Sequence, residues 1–281
     1  MFATIPALVA MFGIGLYEQG TRDDEFRRAF NRFVAGRNRD FSARPLRSRD
    51  LREWVQDTQM QRNAAWSNVL LWYFRYPQAL WLVVIVGLIA PRLISYDLRS
   101  RGYLLYLSRP LSPAGYVFGK ACVLFFLLAM ITTVPALAIY AGGLLLSNEY
   151  IAIWETWDLP FRILLATAVL VLPTSAVALA FSSLTQESRF AAFAWFAVWI
   201  VGWVTYLVLT GSAMLKEDDI LELQDRWLLI SPYHVLGHLQ QQIFGLIPVD
   251  QFRVGPWIVC VVTTVLGFSV AHRRVSRMLK V

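Results

Sequence analysis

Residues 121 to 147 contain no Asp, Glu, Lys, Arg or His. A run that long exceeds the roughly 20 residues that cross a hydrocarbon core as a helix. With no water to bond the main chain, such a segment must satisfy its own N–H and C=O groups, which a helix does. Directly before it lies Leu93 to Lys120, LISYDLRSRGYLLYLSRPLSPAGYVFGK, a charged and helix-compatible insert between two apolar stretches. The chain therefore reads as an integral membrane protein of all-α fold class.

Composition agrees, because only 16% of the 281 residues are charged, where a soluble domain carries about a quarter. The net charge of +7 sits in loops beside apolar spans and not on a compact face, so it points to membrane orientation and not to nucleic acid. Cys122 and Cys260 both fall in apolar runs and read as structural thiols.

Six spans are expected: Met1–Tyr17, Tyr76–Tyr96, Phe118–Leu146, Leu159–Leu184, Phe190–Leu215 and Val254–Ala271. The first has no positive n-region and no small-x-small cleavage site, so it reads as an uncleaved helix. Pro77 suits a helix first turn, while Pro135 and Pro173 fall inside spans and predict kinks. Gly115 and Gly119 have the small-x-x-x-small spacing that lets helices approach closely.

Loop charge sets the orientation. Residues 91–120 hold Arg92, Arg99, Arg101, Arg109 and Lys120 against Asp97 alone, and the tail after Ala271 holds Arg273, Arg274, Arg277 and Lys280 with no acid. Both are expected on the cytoplasmic side, with both termini. Residues 148–162 and 211–253 are acidic on balance and are expected outside. Parity also places the loop 18–75 outside, although its arginines outnumber its acids. Phe26, Phe30 and Phe33 recur there at helical spacing, and Ser48 can cap a helix through Leu51 and Trp54. That loop is either an amphipathic layer on the outer membrane surface or a small packed subdomain. The chain as a whole, 1–281, reads as a single transmembrane domain with loops 18–75 and 97–117 and an external helical segment 216–253.

The motifs of soluble chemistry are missing. There is no His-Glu-x-x-His, no Gly-x-Ser-x-Gly and no Walker-type phosphate loop, since GYVFGKA at 115–121 is one residue short and ends in Ala121. His234 and His238 are four apart and would share a helix face, a spacing that suits a metal only with further ligands. Without intramembrane charges in spans three to six, an ion-coupled carrier is disfavoured, so no enzymatic activity is expected in this chain and energy for transport would have to come from elsewhere.

Ile94 to Lys120, in the form I-x-x-D-L-R-S-R-G-Y-L-x-Y-L-S-R-P-L-S-x-x-x-Y-x-x-G-K, together with six spans and a long first external loop, resembles the type-2 permease subunits of the ATP-binding cassette (ABC) superfamily. Ser231-Pro232-Tyr233-His234 resembles the start of that family's external helices before the last span. The sequence departs in lacking a basic interfacial helix ahead of the first span and in carrying Asp97 where many members of that family carry Glu.

The resemblance implies a cytoplasmic coupling helix between spans two and three that seats in a separate ATPase subunit. It also implies a second permease copy completing a homodimer, and ATP with Mg on the ATPase, leaving no cofactor in this chain. Asp97, Arg99, Arg101 and Gly102 would then make the cytoplasmic contact, and Arg109 with Pro110 would turn the chain into span three. The expected role is a permease in the inner (plasma) membrane, among membrane lipids, forming the path of an exporter. The alternative is a non-transporting scaffold or assembly factor with an extracytoplasmic loop.

Overall fold

A computed structural model describes residues 4–20, 25, 29, 58–100, 112–147, 150–214, 227–247 and 252–278. Among them every regular element is a helix. In chain order these are α1 (Thr4–Gln19), α2 (Thr58–Tyr73), a π turn (Phe74–Gln78), α3 (Ala79–Arg99), α4 (Pro113–Leu146), α5 (Ile151–Glu155), α6 (Leu159–Leu184), α7 (Ser188–Met214), a 3-10 turn (Leu228–Ile230), α8 (Pro232–Ile243) and α9 (Gly255–Met278).

Among the described residues, five helical stretches are long and apolar enough to cross a membrane: Arg62–Arg99, Pro113–Leu146, Leu159–Leu184, Ser188–Gly211 and Gly255–Arg277. The sixth expected span, α1, has 16 residues and is about 24 Å long at 1.5 Å per residue, against a core of about 30 Å.

The second span starts earlier than its hydropathy suggests. Helix runs without a break from Thr58 to Arg99, so residues 58–75, expected in the external loop, belong to the helix. Polarity hid them: Arg62, Asn63 and Arg75 lower the local hydropathy, yet Arg62 and Arg75 are buried among other parts of the chain. Pro77 is not in a first turn but inside this helix, where the wider π turn accommodates the ring and its missing N–H. Pro135 and Pro173 likewise lie within continuous helices. Phe26, Phe30 and Phe33, the segment expected at 48–54, and residues 216–226 of the external segment lie outside the described residues.

The chain divides into two compact units. Unit 1 comprises residues 1–79, 130–167 and 237–253. Its core packs α1 and α2 against the second half of α4, with Ile14, Trp66, Leu70 and Phe74 fully buried. Gly143 is what admits Trp66 and Ile14 to the α4 backbone, since a Cβ there would lie 2.9 Å from the indole and 3.0 Å from Ile14. Trp66 then meets Tyr140 edge-on at 5.9 Å.

Unit 2 comprises residues 80–129, 168–236 and 254–281. Its helices also approach through glycines, but not through Gly115 or Gly119. A Cβ on Gly119 would meet nothing within 4 Å, and one on Gly115 only the Ser112 hydroxyl that caps the start of α4. Spacing identified a small-residue stripe without showing whether another helix faces it. The close approaches are at Gly87, under Trp195 and Phe196, at Gly202, under Pro232, and at Gly267, where a Cβ would come within 2.7 Å of the Ala176 backbone.

Candidate functional site

In unit 2 the ends of α3, α4, α6 and α7 form a frame beside residues 100 and 112, between which the chain lies outside the described residues. The Ser182 hydroxyl of α6 enters the main-chain ladder of α3. It donates to the Pro91 carbonyl at 2.9 Å and accepts from the N–H groups of Ile94 and Ser95 at 3.1 Å each. The Ser95 hydroxyl returns a bond to the Ser182 carbonyl at 2.7 Å. The insertion falls in the turn that begins at Pro91, and a side chain entering the ladder in this way perturbs a helix locally. Both serines are fully buried, so these bonds have no water to replace them. Further along α3 the Trp195 indole N–H donates to the Val83 carbonyl at 2.8 Å.

Asp97 sits at the same end. Its carboxylate accepts from the Tyr116 hydroxyl at 2.7 Å and pairs with Lys120 Nζ at 2.8 Å, while that ammonium lies 5.5 Å from the Tyr116 ring centre. The pair joins the last turns of α3 to the first turns of α4, the helices that precede and follow residues 101–111 in the chain. Arg99 reaches Glu187 at the start of α7 at 3.5 Å, and Arg189 lies 3.8 Å from the same carboxylate. The exposure of these arginines makes their pairs weak. Of the expected coupling residues, Asp97 and Arg99 thus belong to the frame, and Arg101, Gly102, Arg109 and Pro110 lie outside the described residues.

Unit 1 holds a polar cluster that reading the sequence missed. Arg62 makes a two-pronged bond to Glu18, Nε and Nη2 each 3.1 Å from an oxygen, and reaches Glu155 through Nη1 at 2.7 Å. Trp66 Nε1 adds a third donor to Glu18 at 3.0 Å. Asn63 Nδ2 bonds the Glu155 carbonyl and the Asp158 carboxylate, which in turn pairs with Arg162 at 2.7 Å. The arginine acts as a planar fork that a lysine would not reproduce, and it draws together α1, α2 and α5. Interleaved acids and arginines in the 18–75 loop were the only sequence signal, and they do not say who pairs with whom.

Helix α8 ends in the same unit. The Leu246 N–H bonds the Gln241 carbonyl and the Gly245 N–H that of Gln242, the pairing of a Schellman cap. Gly245 has φ +70°, the left-handed conformation that favours glycine. Arg162 Nη1 donates to the Phe244 carbonyl at 2.6 Å, placing a cation at the negative end of α8. Arg75 from the π turn packs on Gly237, where a Cβ would overlap its guanidinium. It is 2% exposed.

The two histidines have different surroundings. The His234 ring stacks on Tyr206 in unit 2, centroids 3.6 Å apart. In unit 1, His238 Nε2 lies 3.1 Å from Gln242 Nε2. Its pKa is lowered to about 4, by burial first and then by Arg253 and Arg75. Among the described residues no group of three His, Cys, Asp or Glu is placed to hold a metal ion.

A sequence profile for ABC-2 family transporter proteins matches residues 8–272, nearly the whole chain. The chain belongs to the ABC-2 transporter family. A comparison with curated proteins finds no match. Membership, with five helices able to span, makes this ABC-2 protein a multi-pass membrane permease of the ABC class. Such subunits work in general with an ATP-binding cassette partner.

Proposed function

We propose that this chain is the membrane-spanning subunit of an ABC exporter, that a second copy completes the translocation path, and that a separate ATPase binds the segment 97–117 from the cytoplasm. ATP and Mg belong to that partner. With α1 as a short sixth span, both termini lie on the same, cytoplasmic side of the inner (plasma) membrane, as the charge of the basic loops favours.

The observation that carries this reading is the double tie at the base of the loop: Asp97 with Lys120 and Tyr116, and Ser182 within the α3 ladder. A loop mounted on helices free to slide would absorb a push from the ATPase. One whose stems are clamped moves the helices with it as a rigid body. Asp97 and Arg99 accordingly position the loop, and Arg101, Gly102, Arg109 and Pro110 are the residues proposed to meet the ATPase or turn the chain beside it. Export accords with the absence, in the sequence, of a recognisable dock for a substrate-delivering binding protein.

The test is to recover the tagged chain from its native membranes, identify what comes with it and assay ATP hydrolysis. A stoichiometric Walker-motif ATPase whose substrate-stimulated activity drops in Asp97→Ala/Arg101→Ala is the expected result. Recovery of the chain without an ATPase would favour a scaffold instead.

A further inference from the structure

In unit 2, α4, α6 and α9 bound an open groove of about 840 Å³, walled by Val117, Phe118, Phe125, Phe126, Leu172 and Phe268. Its volume is in the range of small-molecule sites. The groove follows α4 from Ala114 to Ala129, a helical rise of about 22 Å. Half of a hydrocarbon core is about 15 Å, so the groove is about as deep as one leaflet together with its headgroup layer.

Two polar groups break the apolar lining. Ser175, 1% exposed, is one of the lining residues, and its buried Oγ has no hydrogen-bond partner. A hydroxyl buried in this way leaves a bond to be made. At the other side the groove is bordered by His272, which is exposed and followed on α9 by the exposed Arg273, Arg274 and Arg277. The spacing between the two can be read from the helix contact. Gly267 lets α9 close on the Ala176 backbone, so Ser175 lies near the level of Gly267, about 7.5 Å of helical rise from His272. In a glycerophospholipid the ester carbonyls lie a similar short step inside the phosphate.

We propose that this groove is a binding site for one anionic diacyl phospholipid of the adjoining leaflet. One acyl chain lies along α4 between Phe118 and Phe126, an ester carbonyl accepts the Ser175 hydroxyl, and the phosphate rests on His272 and Arg273. The charge selects the occupant, since no acid follows Ala271 and basic residues at a membrane surface attract anionic headgroups. A second copy of the chain fits less well, because a twofold contact through this face would set arginines against arginines. The site depends on the chain spanning a membrane and not on export or on an ATPase partner.

Native mass spectrometry of the delipidated full-length chain, titrated with dioleoyl phosphatidylglycerol or dioleoyl phosphatidylcholine, tests the proposal. One phosphatidylglycerol per chain is expected to stay bound in preference to phosphatidylcholine. Arg273→Gln should lower that preference about fivefold, the effect of one basic residue at an anionic surface. Ser175→Ala should weaken both lipids alike, and Ala121→Trp should fill the groove and exclude both. Ala129→Phe obstructs the far end of the groove and serves if the tryptophan variant does not fold. Equal retention of the two lipids, or undiminished binding in both blocked variants, would overturn the proposal. So would a stoichiometric Cys122–Cys122 disulfide on oxidation of native membranes, because Cys122 lines the groove and is exposed and such a bond would give this face to a second copy.

Discussion

Unit 1 adds a buried network of charges to its apolar core, whereas the interior polar ties of unit 2 are hydroxyl and indole bonds to main chain. In unit 1 a buried arginine joins two carboxylates from separate helices. In unit 2 the interior ties are Ser182 in the α3 ladder, Trp195 on the Val83 carbonyl and Gly267 against Ala176, while the ion pairs stand at helix ends. The contrast shows where each kind of tie is tolerated. A charged pair repays its desolvation only with several well-placed bonds, and Glu18 has them, accepting from both Arg62 and Trp66. A serine hydroxyl bonding to main chain desolvates little and suits helices packed along their apolar lengths.

The comparison can be broken most severely at Arg62. Arg62→Ala removes the cation shared by two buried carboxylates and is expected to cost about 3–5 kcal/mol, read as a large drop in melting temperature of the purified chain. Arg62→Lys should recover only part of it, because the ammonium lacks the fork. If the alanine variant melts within a degree or two of the wild type, the cluster is not what holds unit 1.

Acid should act next, and in unit 1. Helix α8 lies outside the five spans, and its His238 titrates near 4 when folded against 6.5 when exposed. As pH falls below 6.5 the unfolded chain takes up a proton that the folded chain refuses until about pH 4. Stability is thus fully present above 6.5 and declines toward pH 4, by up to about 3 kcal/mol. Melting curves between pH 7.5 and 4.5 check this, with His238→Gln flattening the dependence; an unchanged slope in that variant assigns the effect to other groups.

Ser182→Ala sharpens the comparison from the side of unit 2. Removing one hydroxyl from a buried network costs about 1–3 kcal/mol. The larger signature should be functional, with ATPase stimulation falling further than the stability loss explains, because α3 can then move independently of α6. Asp97→Asn should have the smallest effect on stability, under about 1 kcal/mol for a pair near the surface, and should show mainly as looser coupling in the ATPase assay.

Much of the architecture was legible along the chain. Leu159 and Leu184 bound α6 as hydropathy indicates, and α4 extends the expected third span only by the turns that Ser112 caps. The start of the second span was not legible. Its first turns carry Arg62 and Asn63, which read as loop residues until their partners 44 to 95 positions away are known. Gly119 and Gly87 make the same point. Both are glycines in apolar helices, and only Gly87 has another helix above it.

The sequence by itself determined an all-helical membrane chain, the sign of charge at each loop and the permease family, because span length, hydropathy and motif spacing are local properties. Only the tertiary structure decided that Glu18 and Glu155 share Arg62, that Ser182 and not another serine ties α6 to α3, and that α4, α6 and α9 leave a groove between them. Those facts depend on which faces meet. A periodic apolar pattern specifies that a face is buried, but the bonds that choose its neighbour form between side chains far apart in the chain.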